Sequence, residues 1–174
     1  MAENPARPPL DWSGNAPFPF TRESSIRIDD EGRFWHDGQL VEHPKLATAM
    51  ATWISRHPND GRYILENGYD WCWITVDDAP LSVRSARIDG DAMVATLSDG
   101  TDERIDPSTL MVDDGGNVRC KVHHDKNYGP YDAKFDRHAL QALGERLREE
   151  NGGFVLALDG GRSVRLGSMR DAAR

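Results

Sequence analysis

The sequence has little cysteine, no long apolar run and no excess of basic residues. Two cysteines among 174 residues cannot build the disulfide framework of a small secreted domain. No segment approaches the roughly 20 consecutive apolar residues of a membrane-spanning helix, and the N-terminus lacks the apolar stretch of a signal peptide. The net charge of −8 argues against a general nucleic-acid binder, which needs a basic face. We therefore expect a cytoplasmic protein that binds neither polymeric nucleic acid nor a membrane.

Sequence motifs for metals, cofactors and nucleophilic enzymes are also missing. The six histidines lack the spacing of zinc ligands, and no serine lies in a GxSxG turn. The glycine pairs at 152–153 and 160–161 fit neither a phosphate-binding loop nor a dinucleotide fingerprint. The sequence thus predicts no metal and no cofactor, and it identifies no catalytic residue.

The chain divides by pattern into three segments. Residues 1–22 are rich in proline and are predicted to form an extended leader, in which Phe18 and Phe20 dock on the folded body because exposed rings are costly in water. Residues 23–68 are predicted to form a β-meander followed by a helix that begins at Pro44. Residues 69–174 are predicted to be a strand-rich domain with a closing helix over about 136–150.

One order of sequence features occurs twice. An apolar, acidic, glycine-turn, apolar order at 26–33 returns at 110–118, which is 84 residues downstream, and each copy is followed by a helical pattern and a short apolar strand. Two interpretations of this repeated order stay open: chance, because short strands and Asp-Gly turns are common, or duplication of one unit. The predicted fold class is α+β, with two small domains that repeat a β-meander, helix and strand motif.

Several of these stretches resemble a known family. The run Trp35-His36-Asp37-Gly38, the segment 60–65 and the segment 74–80 match, in order and spacing over about 26–83, a bacterial family known as domain of unknown function 1285. A weaker match continues through 115–116 and 129–131 to the last helix. The resemblance implies a duplicated α+β core whose second domain is a partial barrel, superficially like pleckstrin-homology domains. It also implies a cleft between the domains that binds a nucleotide-like ligand in signalling, without enzymatic activity.

The sequence departs from that family's pattern in the second domain. An arginine is expected near Lys134 or Phe135, and the aromatic stretch late in the last helix is replaced by Glu149, Glu150 and Asn151. Arg137 or Lys134 can take the place of the missing arginine.

The predicted site combines aromatic, acidic and basic side chains from both domains. Trp71 and Trp73 share one strand face, where they either stack a nucleobase or fill the core. Asp77 and Asp78 point to opposite sides of a strand, so one can face a cleft while the other caps a turn. The predicted ligand-binding residues are Tyr63, Trp71, Asp77, Asp78, His123, Tyr131 and Arg137.

These observations favour non-catalytic binding of a nucleotide-like small molecule with a signalling or regulatory output. Two alternatives stay open. One is a protein interaction module that uses an exposed aromatic face to dock an unknown partner. The other is a hydrolase in which His123 or His124 acts with a carboxylate.

Overall fold

Two small sheets and one helix form the first unit of the fold, β1 to β7. The computed structural model describes residues 9–16, 21–126 and 128–169, so Phe18 and Phe20 lie outside the described residues. The first sheet has the order β3-β2-β1-β7, with β1 and β7 parallel, and consists of β1 (Arg27–Ile28), β2 (Phe34–His36), β3 (Gln39–Leu40) and β7 (Thr75–Val76). The second is antiparallel and consists of β4 (Ile54–Arg56), β5 (Tyr63–Glu66) and β6 (Trp71–Trp73). Helix α1 (Pro44–Thr52) connects them and begins at proline as predicted, where a missing N–H removes no helical hydrogen bond.

Strands β6 and β7 follow residue 68, the predicted boundary, but pair with strands that precede it. Strand β6 pairs with β5 across a short loop, and β7 pairs with β1. We therefore use the term first unit for β1 to β7 together with the turn that follows β7, through Pro80. The boundary of the first unit depends on hydrogen bonding between strands, which cannot be predicted from the local sequence pattern.

A seven-stranded sheet curls into a half-barrel in the remainder of the chain. Its order is β10-β9-β8-β13-β12-β11-β17, and its strands are β8 (Leu81–Asp89), β9 (Ala92–Leu97), β10 (Asp102–Ile105), β11 (Met111–Val112), β12 (Val118–Val122), β13 (Tyr131–Phe135) and β17 (Gly167–Ser168). The hairpins predicted at Asp89-Gly90 and Asp99-Gly100 are confirmed, because they join β8 to β9 and β9 to β10. Helix α2 (Arg137–Leu143) packs on β8 and β13. The predicted α+β class is confirmed.

The closing helix is shorter than the predicted 136–150. Asp136 caps it by accepting the Ala139 N–H at 2.8 Å, but the helix ends at Leu143, followed by Gly144 with a φ of 52°. After one 3-10 turn, β14 (Leu147–Glu150) pairs with β15 (Gly153–Ala157), which pairs in turn with β16 (Ser163–Arg165). Leu147, which seemed to continue the helical stripe, lies opposite Leu156 in this sheet. Strand pairing overrides helical periodicity here.

Strands β11 to β17 and α2 form a second unit that repeats the pairing of the first. The order β3-β2-β1-β7 corresponds to β13-β12-β11-β17, and β4-β5-β6 corresponds to β14-β15-β16. Strands β1 and β11 each pair in parallel with the last strand of their unit. Strands β8 to β10 extend the sheet of the second unit beyond β13. Descent of the two units from one duplicated sequence stays a prediction, as does the likeness to pleckstrin-homology domains.

One hydrophobic core connects the two units. Ile28 and Leu65 from the first unit belong to the same buried cluster as Val83, Val122 and Leu156. Of the two helices in the described part of the chain, neither is long and apolar enough to cross a membrane.

Candidate functional site

A cleft of about 630 Å³ lies where the turn between β1 and β2 faces β8, β13 and the start of α2. Its lining is mostly charged or polar. The lining residues are Asp30, Glu31, Arg33, Ser82, Arg84, Asn117, Lys134, Phe135, Asp136, Arg137 and His138. The cleft thus lies between the β1–β2 turn of the first unit and the half-barrel sheet with its helix.

Asp29 gives the β1–β2 turn its shape. One of its carboxylate oxygens accepts the backbone N–H groups of Glu31 and Arg33 at 3.0 and 2.8 Å. The other accepts from Arg33 Nε and Trp35 Nε1, both at 2.8 Å. Burial raises the pKa of Asp29, but these hydrogen bonds lower it by more, so the carboxylate is ionised and fixes the turn.

Gly32 brings this turn into contact with β8. It has a φ of 75°, and a side chain there would collide with Oγ of Ser82. Arg84 Nη2 lies 3.4 Å from the Gly32 carbonyl oxygen that accepts its hydrogen bond. The lack of a side chain at Gly32 therefore allows the turn to approach β8 at Ser82.

Four cationic side chains enter the cleft, and their engagement differs. Arg33 is held by Asp29 and lies 3.0 Å from Glu31, and Lys134 is held by Asp78 at 2.6 Å. Among the described residues, Arg84 makes one ion pair, a long contact of 3.4 Å with Asp136, beside its hydrogen bond to the Gly32 carbonyl. Arg137 is exposed and has no ion-pair partner among the residues that the structure describes. Arg84 and Arg137 are therefore the cations with unused donors for an anion.

Asp78 ties the first unit to this cleft. Its carboxylate accepts from Arg119 and from Lys134, each at 2.6 Å, and Arg119 also donates to Asp113 at 2.7 Å. Burial raises the pKa of Asp78, but the hydrogen bonds from Lys134 and Arg119 lower it by more, so the pKa lies below its ordinary value. Asp77 turns away and pairs with Arg27 at 2.6 Å. The two adjacent carboxylates thus serve different partners.

The predicted aromatic residues of the first unit lie away from the cleft. Trp71 is 3% exposed; it packs against Trp73 with ring centroids 4.9 Å apart, and the ring of Trp12 lies over it. Tyr63 is half-buried, and its hydroxyl accepts a hydrogen bond from Arg56 Nη2 at 3.0 Å.

His123 and Tyr131 are buried in the second unit. The His123 ring nitrogens lie 2.7 Å from Asp99 Oδ2 and 3.2 Å from Glu103 Oε2, and its side chain is 9% exposed. Burial raises the pKa of Asp99, but hydrogen bonds from His123 and Thr101 hold it well below its ordinary value. Tyr131 is 1% exposed and contacts the His123 ring edge-on at 6.3 Å. This arrangement fixes the imidazole within the fold.

Of the seven predicted residues, Arg137 alone lines the cleft, and Asp78 acts on it through Lys134. Sequence reasoning missed Arg33, Ser82, Arg84 and Asn117. The acidic turn before Arg33 was recognisable, but nothing in the sequence distinguishes Arg84 from Arg87 on the same strand.

A second cavity of about 310 Å³ adjoins the cleft, shares Arg84 with it and is also lined by Gly32. Its other walls come from β2, α1 and the β9–β10 hairpin. They are Phe34, Pro44, Ala47, Thr48, Thr96, Leu97, Ser98 and Gly100.

Comparison with known proteins finds two similar solved structures. A DUF1285 family protein from Silicibacter pomeroyi DSS-3 has a TM-score of 0.56 at 18% identity, covering 100% of this chain and 93% of that chain. The DUF1285 resemblance is confirmed for the fold. A DUF1285 family protein from Shewanella baltica OS155 has a TM-score of 0.39 at 16% identity, covering 83% of this chain and 84% of the other. No family model and no curated protein matches the sequence. The DUF1285 family is uncharacterised, so the comparison brings neither a ligand nor an activity.

Proposed function

We propose that the protein binds a small anionic ligand of the nucleotide-like class in the cleft between its two units, without catalysis and with a regulatory output. The observation that carries the proposal is the pair Arg84 and Arg137. Both are exposed cations from different elements, and neither is held by a short ion pair among the described residues. Guanidinium groups present paired donors that match phosphate or carboxylate oxygens.

The rest of the lining narrows the class of ligand. Asp30, Glu31 and Asp136 bring negative charge to the same cleft, and the whole chain carries a net charge of −8. A simple polyanion is disfavoured by these charges, whereas a ligand with both an anionic group and hydrogen-bond donors satisfies both sets. Ribose hydroxyls and base amino groups are donors of this kind.

The adjoining cavity supports a ligand larger than free phosphate. It shares Arg84 with the cleft, and apolar and hydroxyl side chains such as Phe34, Ala47, Leu97 and Ser98 line it. An anion bound at Arg84 can therefore place an uncharged group in this cavity. A ligand that contacts both units also favours one relative arrangement of them, which is the physical basis of the regulatory output.

A thermal-shift screen tests the proposal with inorganic phosphate, nucleoside mono-, di- and triphosphates and cyclic dinucleotides. A ligand at 100 times its Kd stabilises by about 2.7 kcal/mol, which raises the midpoint of a chain of this size by about 5 to 10 °C. Arg137→Ala and Arg84→Ala should reduce this rise. Arg87→Ala is the matched control, because Arg87 is exposed on the same strand as Arg84 and does not line the cleft.

Two results contradict the proposal. One is the absence of a dose-dependent rise with every probe. The other is an equal loss of the rise in Arg87→Ala, which would indicate a general charge effect.

No comparable observation favours the hydrolase alternative. His123 is buried with both ring nitrogens next to carboxylates, and His124 is exposed and does not line the cleft.

A further inference from the structure

Residues 10–15 cover an aromatic surface formed by His57, Trp71, Trp73 and Tyr128. Trp12 is the centre of the contact. Its ring stacks on Trp71 with centroids 5.9 Å apart and planes inclined by 30°. It also meets His57 at 5.6 Å and Tyr128 at 6.5 Å in edge-to-face geometry. The aromatic surface thus holds one indole ring from another part of the chain.

Two main-chain hydrogen bonds flank the indole. Trp71 Nε1 donates to the carbonyl oxygen of Asp11 at 2.8 Å, and Arg22 Nε donates to that of Asn15 at 3.1 Å. Arg22 is itself buried and held by Asp70 and by the Trp71 carbonyl. The surface therefore recognises an indole together with the carbonyl one residue before it and the carbonyl three residues after it. The covering segment bends between these two carbonyls, where Gly14 has a φ of 82°.

Three of the four rings in the aromatic surface, those of His57, Trp71 and Trp73, contact one another independently of Trp12. His57 lies 4.9 Å from both Trp71 and Trp73, which lie 4.9 Å from each other, and Arg62 stacks on Trp73 at 3.6 Å. These residues come from β6 and the loop after β4. None of these contacts involves residues 10–15.

One polar atom at this surface is not satisfied by the covering segment. His57 Nδ1 accepts the Asn59 N–H at 3.3 Å, and His57 Nε2 is buried without a hydrogen-bond partner among the described residues. A buried unpaired donor costs about 1 to 3 kcal/mol. An occupant that brings an acceptor to Nε2 would recover part of this free energy, which residues 10–15 do not.

We propose that the aromatic surface is a recognition site for a segment of a partner protein that presents a tryptophan followed by a bend, and that residues 10–15 occupy it as an intramolecular competitor. The contacts required of the partner are the indole on Trp71 and the two flanking carbonyls. This site is distinct from the anion cleft and does not depend on it.

A labelled peptide with the sequence of residues 9–16 tests the proposal in fluorescence anisotropy. It should bind saturably to the full-length Trp12→Ala variant. Binding to the wild-type chain should be at least tenfold weaker, because a tethered segment competes at an effective concentration in the millimolar range. The control peptide has alanine in place of its tryptophan and should not bind. Tyr128→Ala in the Trp12→Ala background should weaken binding several-fold.

If Trp12→Ala does not fold, Trp12→Phe keeps a smaller ring over Trp71, and the peptide should then bind this variant more tightly than it binds the wild-type chain. Absence of saturable binding to a folded variant at millimolar peptide overturns the proposal, as does equal affinity for wild type and variant. A concentration-dependent wild-type dimer that Trp12→Ala dissolves also overturns it, because the occupant would then be a second copy of this chain.

Discussion

The turns after β1 and β11 have the same hydrogen-bonding pattern, but the strands that follow them place different side chains on the turn aspartate. In each, an aspartate accepts the N–H groups two and four residues on, and the glycine three residues on has a positive φ. Six residues after the aspartate, Trp35 Nε1 donates to Asp29, whereas Arg119 Nε donates to Asp113. Arg119 then reaches Asp78 in the first unit. The same turn is therefore closed locally by Trp35 in the first unit, whereas in the second unit Arg119 connects it to Asp78 of the first.

The three-stranded sheets differ in the same manner. Trp73 lies opposite Ile64 in the first sheet, and Arg165 lies opposite Val155 at the corresponding position of the second. Trp71 is buried, and Ser163 is exposed. Equal strand pairing thus supports an aromatic surface that holds Trp12 in one unit and a solvated face in the other.

The largest expected effect is a difference in stability loss between corresponding positions of the two three-stranded sheets. Trp71→Ala should lower the free energy of unfolding by about 3 to 5 kcal/mol, because it opens a cavity and removes the stack on Trp12. Ser163→Ala, at the corresponding position, should change it by less than about 0.5 kcal/mol. Urea unfolding of both variants measures the difference. Similar losses would mean that the two sheets are equally packed.

Removal of the two turn aspartates compares their caps directly. Asp29→Ala should cost about 2 to 4 kcal/mol, since four hydrogen bonds end on a nearly buried carboxylate. Asp113→Ala should cost about 1 to 3 kcal/mol, because Arg119 keeps Asp78 as a partner. The corresponding asparagine variants retain an acceptor and should lose less. A smaller loss for Asp29→Ala than for Asp113→Ala would contradict this ranking.

The turn glycines separate backbone strain from contact between the units. Gly32→Ala and Gly116→Ala both place a side chain at positive φ, at about 1 kcal/mol each. A side chain at residue 32 also meets Ser82, whereas one at residue 116 has open space, so Gly32→Ala should cost about 2 to 3 kcal/mol in total. Unfolding curves of the two variants, and of Gly32→Ala combined with Ser82→Gly, provide the check. Failure of the Ser82→Gly change to recover stability would exclude the collision.

The smallest expected effect is the pH dependence of the stability that Asp113 contributes to the second of the two turns. Burial raises the pKa of Asp113, but the Asn117 N–H and Arg119 lower it to about 2. A carboxyl whose pKa is lower in the folded than in the unfolded chain stabilises above its unfolded value of about 3.9, and this stabilisation is lost as pH falls towards the folded value. The difference in stability between wild type and Asp113→Asn should therefore shrink by about 1 to 2 kcal/mol between pH 5 and pH 2. Urea titrations across this range measure it, with Asp125→Asn as the exposed control, and a constant difference would contradict the assignment.

Local sequence signals predicted the turns, hairpins and helix starts of this chain. Asp136 and Pro44 act within a few residues of themselves, as do the Asp-Gly pairs, so their effect could be read directly. The end of the last helix was predicted wrongly, because Leu147 has a more favourable position opposite Leu156 than in a longer helix. The candidate cleft was predicted only through Arg137 and Asp78. Arg84 and Ser82 reach it because β8 pairs in parallel with β13, a contact between segments about 50 residues apart.

The α+β class, the two acidic turns and their separation of 84 residues follow from the amino-acid sequence alone, because these features depend on periodicity and on hydrogen bonds within a turn. The folded chain is needed to see which cations share a cleft and which aromatic rings are covered. Arg84 and Arg137 come from different elements, and Trp12 reaches Trp71 across 59 residues of chain. Contacts between residues so far apart in the chain depend on strand pairing and on burial over the whole fold, so a local sequence pattern cannot predict them.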